Sequence, residues 1–181
     1  MIRCAGYTIS FQEVPDEISL VLLISGCPYR CKGCHSPELQ RNIGDEITKE
    51  YLDRILAKYA DSITCVCFMG EGGRFDDVFK WAHYLKTTYG CKTALYTGMS
   101  WDEFKGNLMS GVILNFDYLK YGPYDEKRGG LSQISTNQRF LKLQIMENGS
   151  REWCDLTYRF RPKPKLPIKR YGIQEDTDLP F

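Results

Sequence analysis

Residues 26–35 read GCPYRCKGCH and bring Cys27, Cys31 and Cys34 within eight residues, spaced Cys-x3-Cys-x2-Cys. A short loop at this spacing can aim three thiolates at one small centre, and soft sulfur donors favour zinc or an iron–sulfur cluster. A structural zinc site closes with four protein ligands, yet no fourth cysteine follows at a matching distance. A thioredoxin-like dithiol needs only one Cys-x-x-Cys and leaves Cys27 unexplained. A four-iron cluster held by three cysteines leaves one iron without a protein ligand. That iron can hold an exogenous molecule, as catalytic metals do at an open position. His35 offers the alternative of a Cys3His zinc site, although adjacent residues on extended backbone point apart. The open cluster is the favoured chemistry and zinc the alternative. Buried structural thiols fit least, because Pro28, Tyr29, Arg30 and Lys32 make the loop polar.

The remaining cysteines are Cys4, Cys65, Cys67, Cys91 and Cys154. Most fall in strand-like apolar stretches, where a cysteine acts as a small buried hydrophobe. Cys65 and Cys67, two apart on a strand, share one face, but neighbours on a strand rarely have disulfide geometry.

The elements that must position the thiols follow in order along the chain. Residues 19–25 (SLVLLIS) form a continuous apolar run ending at Gly26, a strand buried on both faces. Residues 48–59 place Tyr51, Leu52, Ile55, Leu56 and Tyr59 on one helical stripe, with Thr48 as N-cap. Residues 63–69 (ITCVCFM) read as a strand broken by Gly70-Glu71-Gly72-Gly73, and residues 75–89 as a helix. Residues 92–97 read as a strand, 101–109 as a short helix and 112–119 as another strand. This alternation is the signature of βαβ units and a parallel sheet. Right-handed crossovers place the loops after the strands on one edge, where ligands of such folds bind. The cysteine loop, the Gly70–Gly73 turn and the Thr97-Gly98 turn therefore converge.

Beyond Tyr121 the pattern changes to a loop, then to an antiparallel hairpin of residues 140–146 and 151–160 about Glu147-Asn148-Gly149-Ser150. Residues 1–160 read as one domain and 161–181 as an extended tail rich in proline and charge. Residues 159–170 hold six basic side chains and no acidic one, a solvated stretch or a dock for an acidic partner.

The bulk numbers narrow the class. A chain of 181 residues that is 43% hydrophobic suits a globular fold, and a net charge of +1 gives no general attraction to nucleic acid or an anionic membrane. The longest apolar run, residues 20–24, is too short to span a bilayer. The opening MIRCAGYTIS lacks the segments of a signal peptide. A soluble cytoplasmic protein is expected.

Cys27-x3-Cys31-x2-Cys34 is the cluster motif of the radical S-adenosylmethionine superfamily. The longer string GCPYRCKGCHSPEL closely resembles one branch, the activating enzymes of anaerobic (class III) ribonucleotide reductases. Further strings agree in order: the Gly-rich turn after Cys67-Phe68-Met69, then Leu95-Tyr96-Thr97-Gly98, then residues 117–124 (DYLKYGPY). Ser135-Thr136-Asn137-Gln138-Arg139 is similar to that branch's Ser-x-Asn-Gln-Arg. The resemblance spans roughly residues 5–157, most of the chain.

The resemblance implies a partial (βα) barrel, open on one side to admit a glycine loop of another protein. It implies a [4Fe-4S] cluster on Cys27, Cys31 and Cys34 whose open iron chelates S-adenosylmethionine. One electron then cleaves the C5′–S bond, and the 5′-deoxyadenosyl radical takes a hydrogen from a backbone glycine of the reductase. The implied partners are that reductase and a one-electron donor such as flavodoxin or ferredoxin. Arg30 and Lys32 could favour the thiolate form. The superfamily's Gly-Gly-Glu or Gly-Gly-Asp is displaced here by one position, so Gly70, Glu71 and Gly72 are expected to contact the cofactor through the carboxylate or through backbone carbonyls. Thr97 and Asn137 are further expected contacts. Tyr96, Asp117, Lys120, Gln138 and Arg139 are candidates with an equally plain structural reading. His83, Tyr7, Tyr29 and Tyr124 read as structural. The alternatives are an activase of another glycyl radical enzyme, such as pyruvate formate-lyase, or a non-catalytic zinc or iron–sulfur module.

Overall fold

The computed structural model describes residues 1–109 and 115–162. Eight strands form one mixed sheet with three helices. In chain order the elements are β1 (Arg3–Ser10), β2 (Ser19–Ile24), β3 (Asp45–Glu46), α1 (Lys49–Tyr59), β4 (Cys65–Met69), α2 (Phe75–Tyr89), β5 (Lys92–Tyr96), α3 (Trp101–Met109), β6 (Tyr118–Tyr121), β7 (Arg139–Ile145) and β8 (Arg151–Asp155). The strands lie in the order β3-β1-β2-β4-β5-β6-β7-β8. The neighbouring β2, β4, β5 and β6 run parallel, and the flanking pairs are antiparallel.

Register across the sheet follows from two rows of side chains. Leu22, Phe68, Leu95, Leu119 and Leu141 stand opposite one another in successive strands and share a buried cluster with Leu52, Ile55 and Leu56 of α1 and Val78, Ala82 and Leu85 of α2. A one-residue slip would move the whole row to the opposite face. On that face Val21, Cys67, Ala94 and Tyr118 form the second row, covered by Val14, Leu131, Leu156 and Phe160 from the loops. Cys65 and Cys67 do share a face, and both are fully buried.

The local signals act as their chemistry predicts. Thr48 Oγ1 accepts the Tyr51 N–H at 3.1 Å and starts α1. Gly90 ends α2 in the left-handed region at φ 65°. The Asn148-Gly149 turn closes the hairpin through Met146 N–H to Ser150 O at 2.8 Å.

Several boundaries differ from the sequence reading. β1 and β3 were not expected; β1 mixes half-buried and exposed residues without clean alternation, so its pattern carries little signal. The strand expected over 112–119 is β6, which begins only at Tyr118; residues 110–114 lie outside the described residues. Asp117 halts the strand from below: its carboxylate accepts the Thr93 N–H at 2.8 Å and pairs with Lys86 at 2.8 Å. The second hairpin strand ends at Asp155 rather than Phe160. Asp155 Oδ1 accepts the Thr157 N–H at 2.7 Å, and a 3-10 turn, Thr157–Phe160, folds Leu156 and Phe160 onto the sheet. Of the expected tail, residues 163–181 lie outside the described residues. No helix among the described residues is long and apolar enough to cross a membrane.

The lower edge of the parallel strands is tied by one buried carboxylate. Glu17 accepts Lys92 Nζ and the Tyr118 hydroxyl, each at 2.6 Å, at the first residues of β5 and β6. Burial raises its pKa, but Lys92, Thr64 and Tyr118 outweigh burial and leave it below its ordinary 4.5. A lowered carboxylate contributes stability that is complete above its unfolded value and lost as pH falls through the folded one. Glu17→Gln is expected to cost about 2 kcal/mol at pH 7 in urea unfolding. That difference should shrink as pH falls below 4.5 and on through the lowered folded value, where the native carboxylate protonates.

Candidate functional site

The loop after β2 is closed at its base. Ser25 Oγ donates to Ile43 O at 2.6 Å, Gly26 N–H to Arg41 O at 3.0 Å, and Cys27 N–H to Leu39 O at 2.9 Å. Between the cysteines the backbone twice enters the left-handed region, at Arg30 (φ 47°) and Gly33 (φ 71°). Cys27, Cys31 and Cys34 are half-buried, carry free thiols and line one cleft. The Ser36 N–H lies 3.5 Å from Cys34 Sγ, the kind of donor that tunes a metal-bound sulfur. Outside the loop, a Cβ on Gly33 would stand 3.1 Å from Glu126 Oε1, and Lys32 pairs with Glu126 at 3.3 Å.

The cleft encloses about 1070 Å³ at the C-terminal ends of the parallel strands and along the loop-covered face. Gly70 and Thr97, from the ends of β4 and β5, are on its wall, with Tyr29, Tyr96, Lys120 and Gln138. Three expected contacts are not on that wall. Glu71 is buried at 4% exposure. Gly72 packs so close to the chain leaving β2 that a Cβ would meet Ser25 O at 2.6 Å. Asn137 Nδ2 donates to Pro123 O at 2.8 Å and shapes the loop after β6. Asp117 lies at the opposite end of β6, in the bracket described above.

The electrostatics single out a residue with an unremarkable sequence context. Lys32 is 90% exposed and turned to Glu126, and Arg30 is exposed. The cation that interacts with all three thiols is Lys120, whose Nζ donates to Gly122 O at 3.1 Å. Burial pulls the Lys120 ammonium down to about 8, while Cys31, Glu71, Cys27 and Cys34 oppose that fall. Burial also pushes the Cys27 thiol up, with Glu71 and Cys31 adding to the rise and the backbone N–H groups of Tyr29 and Arg30 resisting it. Glu71 is raised by burial against the Tyr29 and Thr97 hydroxyls. Period-2 alternation from buried Tyr118 was the available signal for Lys120, since both project on the same face.

Residues 17–141 match the family model described as a 4Fe-4S single cluster domain. The chain belongs to that family. No curated protein and no solved structure matches it. This iron–sulfur protein must therefore offer cysteines to a cluster. Within the matched span Cys65 and Cys67 are sealed in β4, where burial drives both thiols well up. Cys91 is pushed by burial to about 11. The three loop thiols fit a cluster on their donor chemistry: sulfur ligands, half-buried, beside a cation and a backbone donor. Among the described residues no three His, Cys, Asp or Glu side chains converge as the ligands of a single ion do. The His35 ring instead packs edge-on against Tyr124, 5.2 Å between centroids.

Serine at Cys27, Cys31 or Cys34 is expected to abolish most iron uptake on anaerobic reconstitution, against about four irons in the parent chain. Serine at Cys4 or Cys154 should leave the iron content unchanged. Iron analysis and the visible charge-transfer absorbance of each variant check this.

Proposed function

We propose that this chain is a radical S-adenosylmethionine enzyme that installs a glycyl radical on an anaerobic ribonucleotide reductase. The observation that carries the reading is the three-thiol loop, without a fourth protein ligand among the described residues, opening on the same cleft as the glycine-bearing ends of β4 and β5. Four adjacent parallel strands with intervening helices are compatible with a partial (βα) barrel, and we read the sheet as such.

In this reading Cys27, Cys31 and Cys34 would hold a [4Fe-4S] cluster. Such a group would supply one-electron chemistry, with the electron drawn from a donor such as flavodoxin or ferredoxin, for cleaving S-adenosylmethionine to methionine and the 5′-deoxyadenosyl radical that takes the glycine hydrogen. The chain's own residues bind and orient. Gly70 lets backbone approach the ligand because it has no side chain and holds φ 106°. Lys120 brings a cation to the cleft wall that could pair with a ligand carboxylate, and Thr97 and Gln138 present polar groups on the same wall. A cleft of about 1070 Å³ stands at the top of the usual small-molecule range of about 300–1,000 Å³, a size that suits a cofactor-scale ligand.

Reduced, reconstituted protein is expected to release 5′-deoxyadenosine and methionine in equal amounts. Incubated with an anaerobic ribonucleotide reductase, it should give a glycyl radical signal in electron paramagnetic resonance. Signal with a pyruvate formate-lyase instead would transfer the reading to another activase. A colourless chain holding one tight zinc would overturn it.

A further inference from the structure

Glu71 stands out of step with the carboxylate expected to meet a cofactor, and its surroundings give it another task. It is 4% exposed, lies off the cleft wall, and its Oε1 has no hydrogen-bond partner among the described residues. It faces the hydroxyls of Tyr29 and Thr97 and is attracted by the Lys120 ammonium. Tyr29 arrives there from the middle of the cysteine loop, between Cys27 and Cys31.

The Tyr29 ring fills the space that a side chain at residue 98 would need. A Cβ on Gly98 would stand 2.5 Å from Cδ2 and 2.6 Å from Cγ of that ring. The ring is therefore keyed against the backbone at the end of β5 in a way only glycine allows. Its hydroxyl lies 3.5 Å from Thr97 Oγ1. Thr97 is itself immobilised: Oγ1 accepts the Met99 N–H at 3.0 Å, and the Thr97 N–H donates to Lys120 O at 2.8 Å. The loop base is fastened by the backbone bonds at Gly26 and Cys27, but those bonds leave the segment between Cys27 and Cys31 to find its own place. Tyr29 is the side chain in that segment that reaches across to β5.

We propose that Tyr29 is the positioning residue of the cysteine loop, its ring keyed into Gly98 and its hydroxyl held at Thr97 over Glu71, so that Glu71 acts through Tyr29 rather than on a bound ligand. The proposal rests on the assignment of Cys27, Cys31 and Cys34 as cluster ligands. A half-buried tyrosine suits the task, because two side-chain torsions lose little entropy for the contact area gained. An ångström of drift at a metal-holding side chain is enough to degrade a site.

The test uses the metal-free full chain, so that it does not depend on cluster loading. Alkylation of Cys27, Cys31 and Cys34 by iodoacetamide is followed site by site with mass spectrometry, with Cys154 as internal reference. Tyr29→Ala and Gly98→Ala are expected to accelerate alkylation of Cys27 and Cys31 about tenfold. Tyr29→Phe, which keeps the ring, and Glu71→Ala should each accelerate it about threefold, and the pair together no more than either alone. Glu71→Gln, which keeps a polar side chain of the same shape beside both hydroxyls, should restore the parent rates. On reconstituted protein, Tyr29→Phe and Glu71→Ala should shift the cluster's midpoint potential in the same direction, a change that a general loss of stability would not produce.

Parent alkylation rates in Tyr29→Phe and Glu71→Ala would overturn the proposal, whether or not the alanine and Gly98 variants fold. So would a Glu71→Ala variant that loses S-adenosylmethionine binding while its loop thiols react at the parent rate, since the carboxylate would then act on the ligand. Failure of the cluster assignment is separate and shows as full iron content in the three cysteine-to-serine variants.

Discussion

The site depends on the register of four parallel strands. Leu22, Phe68, Leu95 and Leu119 stand in one row because each must be buried against α1 and α2. Once that row is aligned, the chain leaves β2, β4, β5 and β6 at nearly the same level, and every loop that follows opens on the same edge. The thiols of the first loop, Gly70 of the second, Thr97 of the third and Lys120 of the last strand meet for that reason. Glu17 secures the opposite edge by joining the first residues of β5 and β6, so the register is tied at its polar end as well as through its apolar middle.

At the upper edge the dominant constraint is close approach. Gly72 lies against the Ser25 carbonyl, Gly98 against the Tyr29 ring and Gly33 against Glu126. Each contact presses the cysteine loop toward the strands or holds it from outside. The electrostatics oppose this compaction: burial disfavours the charged forms of Cys27, Glu71 and Lys120 alike. Opposite charges gathered in one place moderate that cost, since Lys120 interacts favourably with Glu71 and the thiols.

Elements with strong periodicity were legible before the structure. The α1 stripe, the Thr48 cap, the β2 run and the Asn148-Gly149 turn each carry a local physical signal that tertiary packing reinforces. β1 was not legible, because its outer edge pairs with only the two residues of β3 and its side chains are neither consistently buried nor consistently exposed. The start of β6 and the end of β8 were misjudged for a common reason. Asp117 and Asp155 stop or redirect their strands by bonding to backbone N–H groups, and in a string they look like ordinary polar residues.

The sequence by itself determined a cluster of soft donors. Three cysteines at Cys-x3-Cys-x2-Cys spacing, just after a buried strand and with no fourth cysteine at a matching distance, specify soft-metal chemistry, because ligand type and loop length are local properties. It also determined that the Gly70 and Thr97 turns would approach that loop, since strand–helix alternation dictates which ends meet. Only the tertiary structure decided what each neighbouring side chain faces. Glu71 and Asn137 lie off the cleft wall, while Lys120 and Gln138 line it and Tyr29 spans from the loop to β5. The direction of a side chain at the end of a strand depends on the backbone torsions of the turn and on what packs against it. Neither is written within a few residues of the side chain itself.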